Sequence, residues 1–315
     1  MNFAIDMVYL WVDGSDPVWQ AKRNAAIGIT TADSATNCDG RYANNDELRY
    51  SLRSLEMYAP WIRRIFIVTD SQVPDWLDTS NPRIRIVDHT EILPADALPT
   101  FNSVVIEHAM WRIPGLADHF LYANDDMMFN RPVSPNDFFT ADGRPIARLN
   151  RRPLRKFTLW LRAKLLGRPI SNYNLTIQNA ARLVENRYGR YFGSKTHHNI
   201  DAYTVGSLRH TFETFQEEIE PTLANHQRSD HDIQRNIYTY VAIAEGEAVA
   251  EYVDRRTSFH MHIDNPRHFD KIECLHPMLF CMNDSQYATD DDRQRVASYL
   301  RHRFPEPSSF ELSGK

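Results

Sequence analysis

Cysteine is scarce in this sequence: Cys38, Cys274 and Cys281 are the three among 315 residues. They are too few and too scattered for a disulfide framework, and no CxxC pair spaces them for zinc. Long apolar runs are missing as well, since no window approaches the roughly 18–20 residues of a membrane span. Met1-Asn-Phe-Ala-Ile-Asp6 lacks the basic and apolar regions of a secretory signal. A strong excess of one charge is also absent. Thirty-six Lys and Arg stand against 41 Asp and Glu, a net charge of -5, so no global basic field argues for nucleic acid. Internal repeats and low-complexity tracts are lacking too. These absences predict a cytoplasmic, reducing setting and a chain long enough to bury a large core.

What is present is an alternation. Ile5 to Val12 is a short apolar run closed by the turn signal Asp13-Gly14-Ser15-Asp16-Pro17. Asn44-Asn45-Asp46 offers caps for a helix carrying Leu48, Leu52 and Leu55 until Pro60 stops it. Residues 65–69 and 84–87 read as buried strands, 101–113 as a helix, and 120–123 as a further strand. Strands alternating with helices predict an α/β fold with a Rossmann-like, mostly parallel sheet. Between Arg144 and Arg168 the pattern changes, with nine Arg or Lys and no acidic residue. Leu154, Phe157, Leu159, Trp160, Leu161, Leu165 and Leu166 are interleaved with them. This basic amphipathic stretch is able to lie on an anionic membrane face or to hold an anionic chain. Helical patterns follow over 171–193, 202–218, 230–244 and 290–304, the last capped by Thr289. The organisation expected is one catalytic unit over 1–315. It comprises an α/β part (1–143), a basic helical insertion (144–195) and a C-terminal part (196–315) that completes the site.

Chemistry is concentrated where polar groups interrupt apolar runs. In Phe120-Leu-Tyr-Ala-Asn-Asp-Asp-Met-Met-Phe129 a strand-like run ends in an amide and two carboxylates. Adjacent anions at the edge of a core are costly unless a cation, metal or proton compensates them. The carboxyl end of a strand in an open α/β sheet is also where ligands bind. Phe280-Cys-Met-Asn-Asp-Ser285 repeats the same logic. Arg49 and Arg53, four residues apart on one helix face, are placed to grip a diphosphate. Two further polar blocks are Thr196-His-His-Asn-Ile-Asp201 and Asn225-His-Gln-Arg-Ser-Asp-His-Asp-Ile-Gln234.

In order and wording, these blocks resemble the characteristic regions of the Stealth family. That family comprises bacterial capsular and exopolysaccharide phosphotransferases and the catalytic subunit of the lysosomal-enzyme N-acetylglucosamine-1-phosphotransferase. Ile5–Pro17 is similar to its first region, and Asn45–Phe129 to its longest. Residues 198–232 are similar to the third, and Phe280–Ser285 with Phe304–Glu311 to the last. The resemblance implies a glycosyltransferase-like fold and a phosphotransferase that moves a hexose 1-phosphate. The donor would be a nucleotide-sugar, UDP-hexose or UDP-N-acetylhexosamine. The acceptor would be a saccharide hydroxyl, with a phosphodiester formed in capsule or exopolysaccharide synthesis and nucleoside monophosphate released. It carries the catalytic set onto Glu107, Asp126, His198 (with His197 adjacent) and Arg228.

The residues themselves supply further roles. Asp13, Gly14, Arg49, Arg53 and Asn124 are candidates for donor binding. Asp125, Asp126 and Asp284 are hard oxygen donors suited to Mg²⁺ or Mn²⁺. Either His198 or Glu107 can serve as the general base. A peripheral contact with the inner face of the membrane is expected through residues 144–168, and none with nucleic acid. The rival reading is a metal-dependent glycosyltransferase that transfers the sugar alone and releases nucleoside diphosphate.

Overall fold

The computed structural model describes residues 3–27, 45–152, 155–165, 167, 170–284 and 287–314. Cys38, Asn44, Leu154, Leu166, Arg168 and Ser285 lie outside this set. In chain order the strands are β1 (Ile5–Leu10), β2 (Ile65–Thr69), β3 (Ile84–Asp88), β4 (His119–Asn124), β5 (Met127–Phe129) and β6 (Ile146–Asn150). They continue as β7 (Lys195–Thr196), β8 (Asp201–Thr204), β9 (Val249–Tyr252), β10 (Ser258–His262) and β11 (Leu279–Asn283). The main sheet has the order β3-β2-β1-β4-β8. Its first four strands are parallel, and β8 closes the edge antiparallel to β4. The fold is therefore α/β with a mostly parallel, Rossmann-like main sheet.

The central strands read as unbroken apolar runs because both faces of the sheet are covered. On one face Val8, Leu10, Phe66, Val68, Phe120 and Tyr122 enter a core shared with the helices Ser103–Ala109, Val205–Thr214 and Asn236–Glu245. On the other, Met7, Tyr9, Ile65, Ile67, Leu121 and Ala123 meet Leu48, Leu52 and Leu55 of the helix Glu47–Tyr58. That helix is also pinned through its serines. Ser51 lies 2.9 Å from the Tyr9 hydroxyl and donates to the Met127 carbonyl at 2.5 Å, while Ser54 Oγ accepts from Phe129 N at 3.1 Å. Two three-stranded sheets, β10-β11-β5 and β7-β6-β9, flank this core. The final helix, Asp290–Arg303, starts at a capping box on Thr289 as its sequence predicts, and packs Val296 and Leu300 beneath β10 and β11.

Two expectations are corrected. Residues 202–218 do not form one helix, because Asp201–Thr204 is strand β8, followed by the helices Val205–Thr214 and Gln216–Leu223. Pairing with β4 and burial of Ala202 and Tyr203 outweigh the local helical pattern there. The 230–244 helix begins only at Asn236, since the preceding residues form a loop wound around buried Asp232. Among the described residues, no helix is long and apolar enough to cross a membrane.

Candidate functional site

At the carboxyl ends of β1 and β4 lies a cavity of about 530 Å³. Its polar side includes Glu47, Glu107, Asn124, Asp125, Asp126, His198, Arg228, Arg235 and Asp284; Trp11, Trp19, Phe101, Tyr173 and Tyr287 supply aromatic surface. Trp19 and Phe101 meet edge to face with ring centroids 5.4 Å apart.

The acidic corner arises where the chain changes sheets. β4 ends at Asn124, Asp125 and Asp126 turn, and β5 starts at once in the second sheet. β11 runs antiparallel to β5 with Cys281 opposite Met127, so the carboxyl end of β11 comes back beside Asp126. The two Asn-Asp signals of the sequence thereby meet at one place. Met282 N donates to the Asp126 carbonyl at 2.9 Å, and the Cys281 thiol lies 3.1 Å from Asp126 Oδ2. Burial, then the neighbouring charges of Glu47 and Asp126, hold the Asp125 carboxyl well above its ordinary range. Burial, reinforced by Asp126, pushes Glu47 up to about 7. Like charges crowded out of water favour either a proton or a bound cation.

Glu107 comes from the helix Ser103–Ala109, whose first turn is capped by Asn102 through the Val104 amide. Burial raises the Glu107 carboxyl above the usual range, and Arg235 and Tyr122 offset only part of this. The Tyr122 hydroxyl lies 2.8 Å from Glu107 Oε1 and 2.9 Å from Asn124 Oδ1. The single phenolic proton can be donated to only one of these two oxygens at a time. Glu107 Oε2 is buried and has no hydrogen-bond partner among the described residues.

Of the adjacent histidines, His198 lines the cavity. His197 is buried and committed, with Nδ1 2.8 Å from Ser258 Oγ and Nε2 3.1 Å from Asp201 Oδ1. Arg228 reaches the cavity from the loop around Asp232, which accepts hydrogen bonds from Asn102, Asn225 and the Ser229 amide. The Arg228 guanidinium donates to Ser103 Oγ at 2.7 Å.

Four expected donor-binding residues are not brought to this cavity. Arg49 and Arg53 both bind Glu311, at 2.5 and 2.7 Å, so the carboxylate of the C-terminal segment takes the grip expected for a diphosphate. Asp13 folds onto Ser15 in an Asx turn, and the Gly14 carbonyl accepts from Gln20 at 2.8 Å. Asp284 does line the cavity, but Arg293 holds both of its oxygens, at 2.8 and 3.2 Å, which compensates its charge. The sequence reading missed Arg235 and Glu47. Arg235 lies 3.4 Å from Glu107 and 2.5 Å from Asp201, and it is buried. An Arg within the otherwise polar-to-apolar transition Asp232-Ile-Gln-Arg-Asn-Ile237 was the available signal. Glu47 stands at the start of a helix, where an acidic residue looks like ordinary dipole complement.

The geometry defines a class: an α/β protein with anionic and cationic groups facing each other across one cavity at the carboxyl edge of a parallel sheet. Family models described as Stealth protein conserved region 1 and conserved region 2 match residues 3–31 and 41–147. An exopolysaccharide phosphotransferase of Streptomyces coelicolor is 37% identical over 99% of this chain and 53% of its own length. The exopolysaccharide phosphotransferase CpsY of Mycobacterium tuberculosis is 35% identical over 98% of this chain and 58% of its own length. The chain belongs to the Stealth family, and it spans a little over half the length of these relatives. Among solved structures, the galactosyltransferase LgtC with donor and acceptor sugar analogs aligns over 96% of this chain and 98% of its own. Its TM-score is 0.46 at 10% identity, a likeness that carries no functional argument.

Proposed function

We propose that this chain transfers a hexose 1-phosphate from a nucleotide-sugar, a UDP-hexose or UDP-N-acetylhexosamine, to a saccharide hydroxyl. The product is a phosphodiester in capsule or exopolysaccharide synthesis, and the leaving group is the nucleoside monophosphate. One observation carries the reading: Glu107, Asp126, His198 and Arg228, up to 121 positions apart in the chain, line a single cavity. The names of the two relatives support it.

Attack on the sugar-side phosphorus needs an activated hydroxyl, an aligned geometry and neutralised phosphate oxygens. Arg228 faces the cavity and supplies fork-like donors to phosphate, while Ser103 fixes its guanidinium. Arg235 is committed to Asp201 and Glu107, so its part is to hold Glu107 in place. His198 accepts the acceptor hydroxyl's proton, or Glu107 does so through Oε2. The aromatic wall of Trp11, Trp19 and Phe101 offers flat apolar faces for a base or sugar ring. Asp125 and Asp126, with Glu47 beside them, suit a hard divalent cation because their crowded charge calls for one. Mg²⁺ or Mn²⁺ held there would neutralise diphosphate charge.

The stretch 144–195 is not helical throughout, since Ile146–Asn150 is strand β6 with Ala147, Arg148 and Leu149 buried. The basic part beyond that strand is assigned to the acceptor side, as a peripheral contact with an anionic chain or membrane face. Its helix Arg155–Lys164 exposes the stacked pair Phe157 and Trp160.

The test is the nucleotide released when the protein is incubated with a panel of UDP-sugars, Mg²⁺ and a saccharide acceptor. UMP with a phosphodiester product supports the reading. UDP as the sole nucleotide product refutes it and establishes transfer of the sugar alone.

A further inference from the structure

The spacing of cysteines along the chain predicts no zinc site, yet the fold brings three potential ligands together from distant segments. His198, His260 and Cys281 each offer a ligand atom, all within 4.8 Å of one another. The arrangement follows from register. His260 on β10 is paired directly with Cys281 on the parallel neighbour β11, which puts both side chains on one face of that sheet. His198 approaches from the segment between β7 and β8, its ring edge-on to His260 with centroids 5.0 Å apart. A fourth donor is at hand, since Asp126 Oδ2 lies 3.1 Å from Cys281 Sγ.

Imidazole and thiolate donors select Zn²⁺ and similar borderline-soft ions, whereas Mg²⁺ takes oxygen. With Zn–N near 2.0–2.1 Å and Zn–S near 2.3 Å, tetrahedral geometry puts neighbouring donors roughly 3.3–3.8 Å apart. Closing from 4.8 Å is therefore a side-chain adjustment of about 1 Å. A cation here also lies beside the crowded carboxylates Glu47, Asp125 and Asp126, whose like charges it would compensate.

We propose that His198, His260 and Cys281, completed by Asp126, form a binding site for Zn²⁺, and that Zn²⁺ bound there inhibits the enzyme. Inhibition follows because a metal-bound imidazole no longer accepts a proton and a coordinated Asp126 no longer serves the donor. This second half rests on the function proposed above; the metal site itself does not.

Co²⁺, which absorbs visibly and takes the same ligands, is the probe for the site. Titration of the full chain under reducing conditions is expected to give a thiolate-to-cobalt charge-transfer band that saturates at one ion per chain. Cys281→Ser abolishes that band. His260→Ala, a change at an exposed position outside the cavity lining, weakens binding by at least about tenfold. In turnover assays with excess Mg²⁺, Zn²⁺ inhibits the wild type and a chelator restores it. His260→Ala keeps the basal rate and tolerates at least about tenfold more Zn²⁺. Absence of the band, or a band unchanged in both variants, overturns the site. Equal sensitivity of wild type and His260→Ala to Zn²⁺ overturns the inhibition. The cobalt band is read without turnover, so a chain inactive on every nucleotide-sugar still reports on the metal site.

Discussion

Replacing Glu311 by glutamine removes the one carboxylate that two arginines share. Arg53 donates from Nε and from a terminal nitrogen, each at 2.7 Å, and Arg49 from Nε at 2.5 Å. The Ser308 amide adds a further bond at 2.8 Å. The Glu311 side chain is 2% exposed and that of Arg53 9%, so the substitution strands a buried guanidinium on the carbonyls of Phe304 and Pro305. Breaking a buried pair from one side costs about 3–5 kcal/mol. At roughly 2 °C per kcal/mol for a chain of this size, Tm should fall by about 6–10 °C in calorimetry. Arg53→Ala should do the same, and the double variant should cost less than the sum by about 1–2 kcal/mol.

The pH dependence has a definite sign. Burial works against ionisation of Glu311, but Arg53, the Ser308 amide and Arg49 overcome it and hold the carboxyl down to about 2. An unfolded glutamate titrates near ~4.3, so the contribution is complete above that value and is lost as pH falls toward the folded one. The stability gap between wild type and Glu311→Gln should therefore narrow between about pH 4 and pH 2. If Arg53→Ala instead raises KM for the donor tenfold at an unchanged Tm, the guanidinium reaches substrate and the structural assignment fails.

Other variants separate chemistry from scaffolding. Asp126→Asn should cut turnover by at least about 10²-fold while Tm moves little, because the site's carboxylates repel one another; near wild-type turnover would remove Asp126 from the mechanism. Arg228→Lys should also lower kcat/KM, since a point charge cannot reproduce a bidentate grip, and an unchanged value would place phosphate elsewhere. His198→Ala should lose activity and keep Tm, whereas His197→Ala, which strips a partner from buried Asp201, should lose about 1–3 kcal/mol by denaturant titration. Acceptor binding through the basic insertion should weaken steeply with added salt, and salt-insensitive binding would end that assignment.

What could be read from the chain alone divides along a physical line. β1, β2 and β4 were legible because strands buried on both faces must be apolar throughout, and the last helix because its capping box is local. The acidic corner was legible for a related reason: Asn124-Asp125-Asp126 interrupts a core strand, and such an interruption needs compensation. β8 was not, since four residues that run straight into a helix owe their extended form to the edge of β4. The guanidiniums mark the limit most clearly. Arg49 and Arg53 share a helix face, which sequence shows, but whether that face meets a ligand or the protein's own carboxylate depends on where residue 311 returns, 258 positions after Arg53. Arg235 was hidden by the same indeterminacy in reverse, because a lone arginine ahead of a helix gives no sign that Glu107 and Asp201 converge on it. Charge patterns thus identify which groups must be compensated, and long-range topology decides by what. Glu107 and Arg235, two buried groups from distant segments, need each other in that sense: removing Arg235 should raise the Glu107 carboxyl further, and removing Glu107 should leave a buried guanidinium with less compensation.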